Sequence, residues 1–256
     1  MAGPSQRAFV LRLVPYGEND LVVTLLSREQ GLFPVMAKSA KKSRKRFGGA
    51  LELFSLVNAV ASSPRGGRGG MGLLNEASAE RVYEGVRGNV VKTAFASCWA
   101  EVACLRVEEG QGGELFPLFE HCLNALDRSR LSGADVHLLF LVRFFAAMGL
   151  LPRLDACAKC EKPLAPGGTV RFFPAKGGMV CAACAGRGGM ACHPGTVKQL
   201  AWAARGDLAT AGRIRFSSQA AEEGRRMLER FLAFHLEVEL KSLRFLEDIL
   251  KQGQTA

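Results

Sequence analysis

Hydrophobic positions along the chain follow two periods, and the change falls near residue 89. Up to that point apolar residues alternate or run in short blocks. Phe9, Leu11 and Leu13 alternate with their neighbours, 21–26 is rich in β-branched residues, and 32–37, 51–61 and 72–77 continue the series. Turn residues bound these runs, among them 15–20 and Gly31, so each reads as a strand. Five short strands in fewer than 80 residues predict a small closed barrel. The OB-fold is the commonest nucleic-acid-binding form of such a barrel, and an SH3-like barrel is the alternative.

From Asn89 the period becomes 3.6. Val90, Val91, Ala94, Phe95, Cys98, Trp99, Val102 and Leu105 form one stripe behind an Asn cap, the mark of an amphipathic helix. Further helices fit 115–130 and 134–148. The second is apolar almost all round and is therefore expected to be the most buried. Helical patterns resume at 196–205 and run from Ser217 to Gln252, with Met227, Leu228, Phe231, Leu232, Leu236, Leu243, Leu246 and Ile249 on the apolar face.

Between these helical stretches stand two knuckles, Cys157-Ala158-Lys159-Cys160 and Cys181-Ala182-Ala183-Cys184, separated by a Pro/Gly-rich segment with an apolar core at Val170, Phe172 and Phe173. Each Cys-x-x-Cys turn lets two thiolates reach one ion, and two such turns complete a four-sulfur shell: a zinc ribbon. A closed shell leaves no open coordination position, so the zinc is expected to be structural. Cys98, Cys104 and Cys122 lie in helical apolar patterns and read as small core residues. The expected fold class is α+β, with an OB-fold β-barrel over 1–80, an α-helical bundle over 81–155 and 193–256, and a four-cysteine zinc ribbon inserted at 156–192.

Charge sharpens this picture. The net +10 is distributed as +5 in 1–80, −1 in 81–156, +4 in 157–192 and +2 in 193–256, which points to a polyanion touching the barrel and the ribbon. Its focus is Lys38-Ser39-Ala40-Lys41-Lys42-Ser43-Arg44-Lys45-Arg46, with six cations in nine residues and no acid. Such a run stays solvated and mobile or lies along phosphates, so Lys38, Lys41, Lys42, Arg44, Lys45 and Arg46 are the candidate nucleic-acid-binding residues, the ones the resemblance below makes DNA-binding. Lys159, Lys162, Arg171 and Lys176 form the alternative surface. Among nearby aromatics, Tyr16 and Phe47 stand beside turns and are the candidate stacking residues, while Phe9, Phe33 and Phe54 read as barrel core. The Arg-Gly stretch 65–70 reads as a basic hairpin loop.

The N-terminus lacks a continuous apolar core, and the longest apolar run, 136–151, contains Arg143 and is too short to span a bilayer, so a soluble cytoplasmic protein with no membrane partner is expected. No Walker loop, nucleophile elbow or paired-carboxylate cluster is present, and an enzyme is not expected.

The run Phe9-Val10-Leu11 through Tyr16-Gly17-Glu18-Asn19-Asp20, the basic loop, and Phe47-Gly48-Gly49-Ala50-Leu51-Glu52-Leu53-Phe54 together resemble the bacterial DNA repair protein RecO family. Gly149-Leu150-Leu151-Pro152 and Lys241-Ser242-Leu243-Arg244-Phe245-Leu246 extend the resemblance over nearly the whole chain. Ser39 departs from it, standing where the family more often has Gly. The resemblance implies a recombination mediator that binds single- and double-stranded DNA and anneals complementary strands. It further implies contact with the C-terminal tail of single-stranded DNA-binding protein (SSB), and work with RecR to load RecA. The competing reading is an OB-plus-ribbon translation or transcription factor that binds RNA.

Overall fold

Why the first 81 residues close into a barrel follows from strand pairing. In the computed structural model, which describes residues 4–62, 71–106, 112–128, 132–165 and 167–253, β1 (Ser5–Tyr16) pairs antiparallel with β2 (Asp20–Ser27), and β2 with β3 (Gly31–Ala37). A short helix, α1 (Arg44–Phe47), follows. Then β4 (Leu56–Ser62) and β5 (Gly72–Arg81) pair with each other, and β4 also pairs with β1. A parallel β3·β5 seam closes the ring in the order β1-β2-β3-β5-β4. This five-stranded Greek-key closure is OB architecture, and it sets the SH3-like alternative aside.

The barrel interior holds Val10, Val23, Leu25, Phe33, Val35, Val57, Leu74 and Ala77, with Phe47 of α1 among them. Phe9 is buried but points the other way: its ring lies 5.0 Å from Phe116 and 6.3–6.4 Å from Phe119 and Tyr83. A bulge explains the switch. Val10 pairs with Leu25 and Arg12 with Thr24, so Leu11 is an extra residue, and after it Leu13 packs on the barrel core. The even spacing of 9, 11 and 13 therefore does not mark one face. The fourth strand is also shorter than expected. Residues 51–55 form bends and turns, with Phe54 at φ 68, and the strand begins at Leu56.

Helices follow as α2 (Glu84–Arg87), α3 (Val90–Arg106), α4 (Gly112–Arg128) and α5 (Gly133–Ala147). Asn89 caps α3, its Oδ1 accepting from Lys92 N at 3.1 Å. The α3 face that is buried is the expected one, apart from Val90 and Leu105 at its exposed ends. Ser132 caps α5, which is buried nearly all round. The ribbon contains β6 (Val170–Phe173), a 3₁₀ turn at Pro174–Lys176, β7 (Gly178–Cys181), α6 (Ala182–Ala185) and β8 (Met190–Cys192). Its sheet order is β7-β6-β8, antiparallel throughout. Then come α7 (Pro194–Ala204), α8 (Leu208–Ala211), α9 (Ser218–Leu236) and α10 (Lys241–Gly253). The single helical stretch expected from Ser217 to Gln252 is thus broken, because Glu237 takes a left-handed conformation at φ 54 and ends α9.

Two compact units result, one of residues 1–123 with 242–256 and the other of 124–241. The helices expected to form one bundle divide between them. In the first, Glu101 of α3 accepts from Ser242 N at 2.8 Å and from the Ser242 hydroxyl at the start of α10. In the second, α5, α7 and α9 pack together, and Gly224 lets α9 approach Leu138 and Leu200, where a Cβ would lie 3.4–3.5 Å from their methyls. The ribbon is tied to these helices by Phe172, whose ring stands 5.6 Å from Phe231, itself 5.0 Å from Phe145. Among the described residues no helix is long and apolar enough to cross a membrane.

Candidate functional site

All four expected metal ligands come together. Their Sγ atoms lie within 4.8 Å of one another, and Cys160 and Cys181, one from each knuckle, are 3.9 Å apart. Four sulfurs bound to one ion at the usual zinc–sulfur distance of about 2.3 Å would stand about 3.8 Å apart in a tetrahedron. The cluster is therefore sized for a single ion. Local hydrogen bonds build the first knuckle. Cys157 N donates to Lys162 O, Glu161 at φ 62 turns back to Cys157 O, and the N–H groups of Lys159, Cys160 and Cys181 point at Cys157 Sγ at 3.4–3.5 Å.

Electrostatics favour a cation at this place. Burial pushes the Cys157 thiol up, but the backbone donors of Cys160, Cys181 and Lys159 and the Cys160 thiol outweigh it and bring the group down to about 6. Cys184 moves the opposite way, pushed up to about 12 first by its hydrogen bonds to Cys181 and Cys160 and then by burial. Cys184 resists ionising beside the Cys160 and Cys181 sulfurs, and a dication among the four would remove that resistance. Cys192, on β8, is a separate buried thiol pushed up to about 11 by burial.

The six basic candidates occupy the β3–α1 connection, but they do not form a free loop. Because Leu21 pairs with Ala37, Asp20 lies beside the start of the basic run. Its Oδ1 accepts from Ser39 N at 2.7 Å, and Ser39 sits at φ 53. Lys41 N donates to Asn19 O at 3.1 Å and Lys41 Nζ to Glu18 O at 3.1 Å. Arg46 donates to Lys38 O at 2.6 Å and Ser43 Oγ at 3.0 Å while its guanidinium lies 4.9 Å over the Phe47 ring. Lys38, Lys42 and Lys45 stand among the outward residues of this segment, with Arg44 opening α1 beside them. Rather than a loop without internal contacts, the run is a strap tied by these hydrogen bonds.

Of the two candidate stacking residues, Phe47 is 3% exposed inside the barrel core and is withdrawn, whereas Tyr16 is 59% exposed. Tyr16 pairs with Asp20, which places it at the strap's end of the barrel. The Arg-Gly stretch 65–70 lies outside the described residues. In the alternative basic surface, Arg171 is turned onto the carbonyls of Gly188 and Gly189. Sequence reasoning missed Asp20 as an anchor, although its place in a turn was visible. It also missed a hollow of about 370 Å³ lined by Leu154, Leu164, Val197 and exposed Trp202 and rimmed by Lys198 and Arg205. Nothing in the α7 pattern distinguishes an exposed Trp from a core one.

Comparison with known proteins adds the family. Residues 1–83 match the family Recombination protein O N terminal, and 87–244 match Recombination protein O C terminal. A protein named DNA repair protein RecO from Desulfatibacillum aliphaticivorans is 43% identical over 96% of both chains. One of the same name from Desulfosudis oleivorans is 39% identical over 97% of this chain and 99% of its own. One from Pelobacter propionicus is 32% identical over 97% and 98%. With a five-stranded barrel, a helical region, a cluster of four cysteines and both family regions matched in order, the chain belongs to the RecO family of DNA repair and recombination proteins.

Proposed function

We propose that this protein is a recombination mediator that binds single- and double-stranded DNA and anneals complementary strands by binding alone. The observation that carries the reading is the strap, where six cations in nine residues with no acid are held at one end of an OB barrel. Cations on such a surface displace counterions from phosphates and carry no base-reading geometry, so binding is strong at low salt and independent of sequence. Neutralising two strands at once lowers their mutual repulsion, and base pairing then proceeds without a nucleotide-driven step. Tyr16 offers a sequence-tolerant platform for a base. Zinc, one ion per chain held by Cys157, Cys160, Cys181 and Cys184, supplies a structural crosslink in the ribbon. In the cytoplasm the protein would work with RecR to help load RecA on DNA coated by SSB.

The acidic tail of SSB cannot use the apolar face of α5, which is buried. The hollow beside Trp202 supports a seat for that tail, since it has apolar walls and Lys198 among its lining, with Arg205 shared with Asp155. A single experiment tests the central reading. Complementary oligonucleotides are annealed with and without SSB in the presence of the zinc-loaded protein. Faster annealing on both naked and SSB-coated strands supports the proposal. Binding that favours RNA over DNA, with no acceleration of annealing, would replace it with the translation-factor reading.

A further inference from the structure

The strap divides its own cations by role. Lys41 and Arg46 are engaged with backbone carbonyls, Lys41 with Glu18 and Arg46 with Lys38. Arg46 adds a second bond to Ser43 Oγ. Both therefore brace the strap. Lys38, Lys42, Arg44 and Lys45 extend from the same braced backbone. Two acidic residues stand at the assembly, Glu18, whose carbonyl takes Lys41, and Asp20, whose carboxylate holds the N–H of Ser39 at the positive-φ corner where the strap leaves β3.

Resting on the DNA-binding reading above, we infer that Asp20 and Arg46 are positioning residues that fix the strap's shape, and that Lys38, Lys42, Arg44 and Lys45 are the phosphate-facing set. The chemistry separates this role from simple electrostatics. An acid next to a polyanion site repels the ligand, so its removal strengthens binding if charge is all that matters. If Asp20 instead fixes the strap's shape, its removal weakens binding, because the chain must then be ordered at the moment of association. The corner residue makes the requirement sharper. Ser39 adopts a backbone region that L-residues disfavour, and without the carboxylate it relaxes to other conformations.

The test uses the full-length, zinc-loaded protein and a fluorescent oligo(dT) strand, with affinity measured across a salt series. Asp20→Ala is expected to weaken binding about tenfold at fixed salt. Asp20→Asn, which keeps an acceptor oxygen for Ser39 N and loses the charge, restores binding to the wild-type level or better. Arg46→Lys keeps the charge and loses the two-point brace. It is expected to weaken binding severalfold with an unchanged salt slope. The quadruple change Lys38→Ala, Lys42→Ala, Arg44→Ala, Lys45→Ala flattens the log–log salt slope by roughly 3, near 0.7 for each phosphate released. If Asp20→Ala binds as tightly as wild type or tighter, or Arg46→Lys is silent, the positioning roles are overturned while the DNA site stands. If the quadruple change leaves the slope intact, the strap is not the DNA site, and its phosphate-facing role falls together with the positioning roles.

Discussion

Ser39 works against its own backbone. At φ 53 a side chain costs about 1–2 kcal/mol that glycine avoids, while glycine's extra freedom in the unfolded chain offsets about half of that. Ser39→Gly is therefore expected to stabilise the protein by about 0.5–1 kcal/mol, read as a higher urea midpoint at unchanged m-value. The same residue shows how far single positions are legible in sequence. The four cysteines are, because two Cys-x-x-Cys knuckles have the spacing a tetrahedral ion calls for, and their sulfurs come within 4.8 Å of one another. Phe9 and Phe47 are not. The inward face of β1 shifts at the Leu11 bulge, and a four-residue helix turns Phe47 into the barrel. Both are local departures from periodicity that leave no mark in composition.

At the scale of elements, the strands and helices were readable wherever period and punctuation agreed, as in β2, β3, α3 and α5. They were not readable where a break carries no glycine or proline. Glu237 ends α9 within a sequence that otherwise continues its pattern, and the residues before Leu56 bend despite being apolar. One carboxylate joins α9 to the start of α7, just after the ribbon. Glu223 of α9 accepts from His193 N at 2.9 Å and from the buried Thr196 hydroxyl at 2.8 Å, and Gln219 donates to its other oxygen at 3.0 Å. Burial raises the Glu223 carboxyl, but these donors outweigh burial and hold it below the ordinary carboxylate value. A depressed carboxyl stabilises the fold above its unfolded pKa, about 4.3, and that contribution is lost as pH falls through the lower folded value. Glu223→Ala is expected to cost about 1–3 kcal/mol at neutral pH. In denaturation series at several pH values, its deficit against wild type should shrink below about pH 4.

For the whole molecule, the division into units makes the metal's effect local. Elemental analysis of protein purified without added metal is expected to give one zinc per chain. Cys160→Ser should abolish it, because binding of a structural ion is itself folding free energy. In that variant the amides of β6, β7 and β8 lose protection from exchange while those of β1 and β2 keep theirs. Affinity for zinc should also fall as pH falls, since protons compete for the thiolates. What sequence could not supply at this scale is the partition of the helices, because periodicity reports that a face is buried and not which element buries it. The barrel's closure carries a last consequence. Among the described residues the β3·β5 seam rests on the pairs Val35↔Gly72 and Met36↔Leu73, and a Cβ at Gly72 would come within 2.6 Å of Ser62 O. The β1–β2 and β2–β3 hairpins join chain neighbours, whereas this seam, like the β1·β4 pairing, joins segments far apart in sequence and so carries a loop-closure cost that the hairpins do not. Its entropic cost grows only about 0.6 kcal/mol for each doubling of the intervening chain. Insertions between β3 and β5 are thus a cheap way for such a barrel to vary its nucleic-acid surface without giving up its closure.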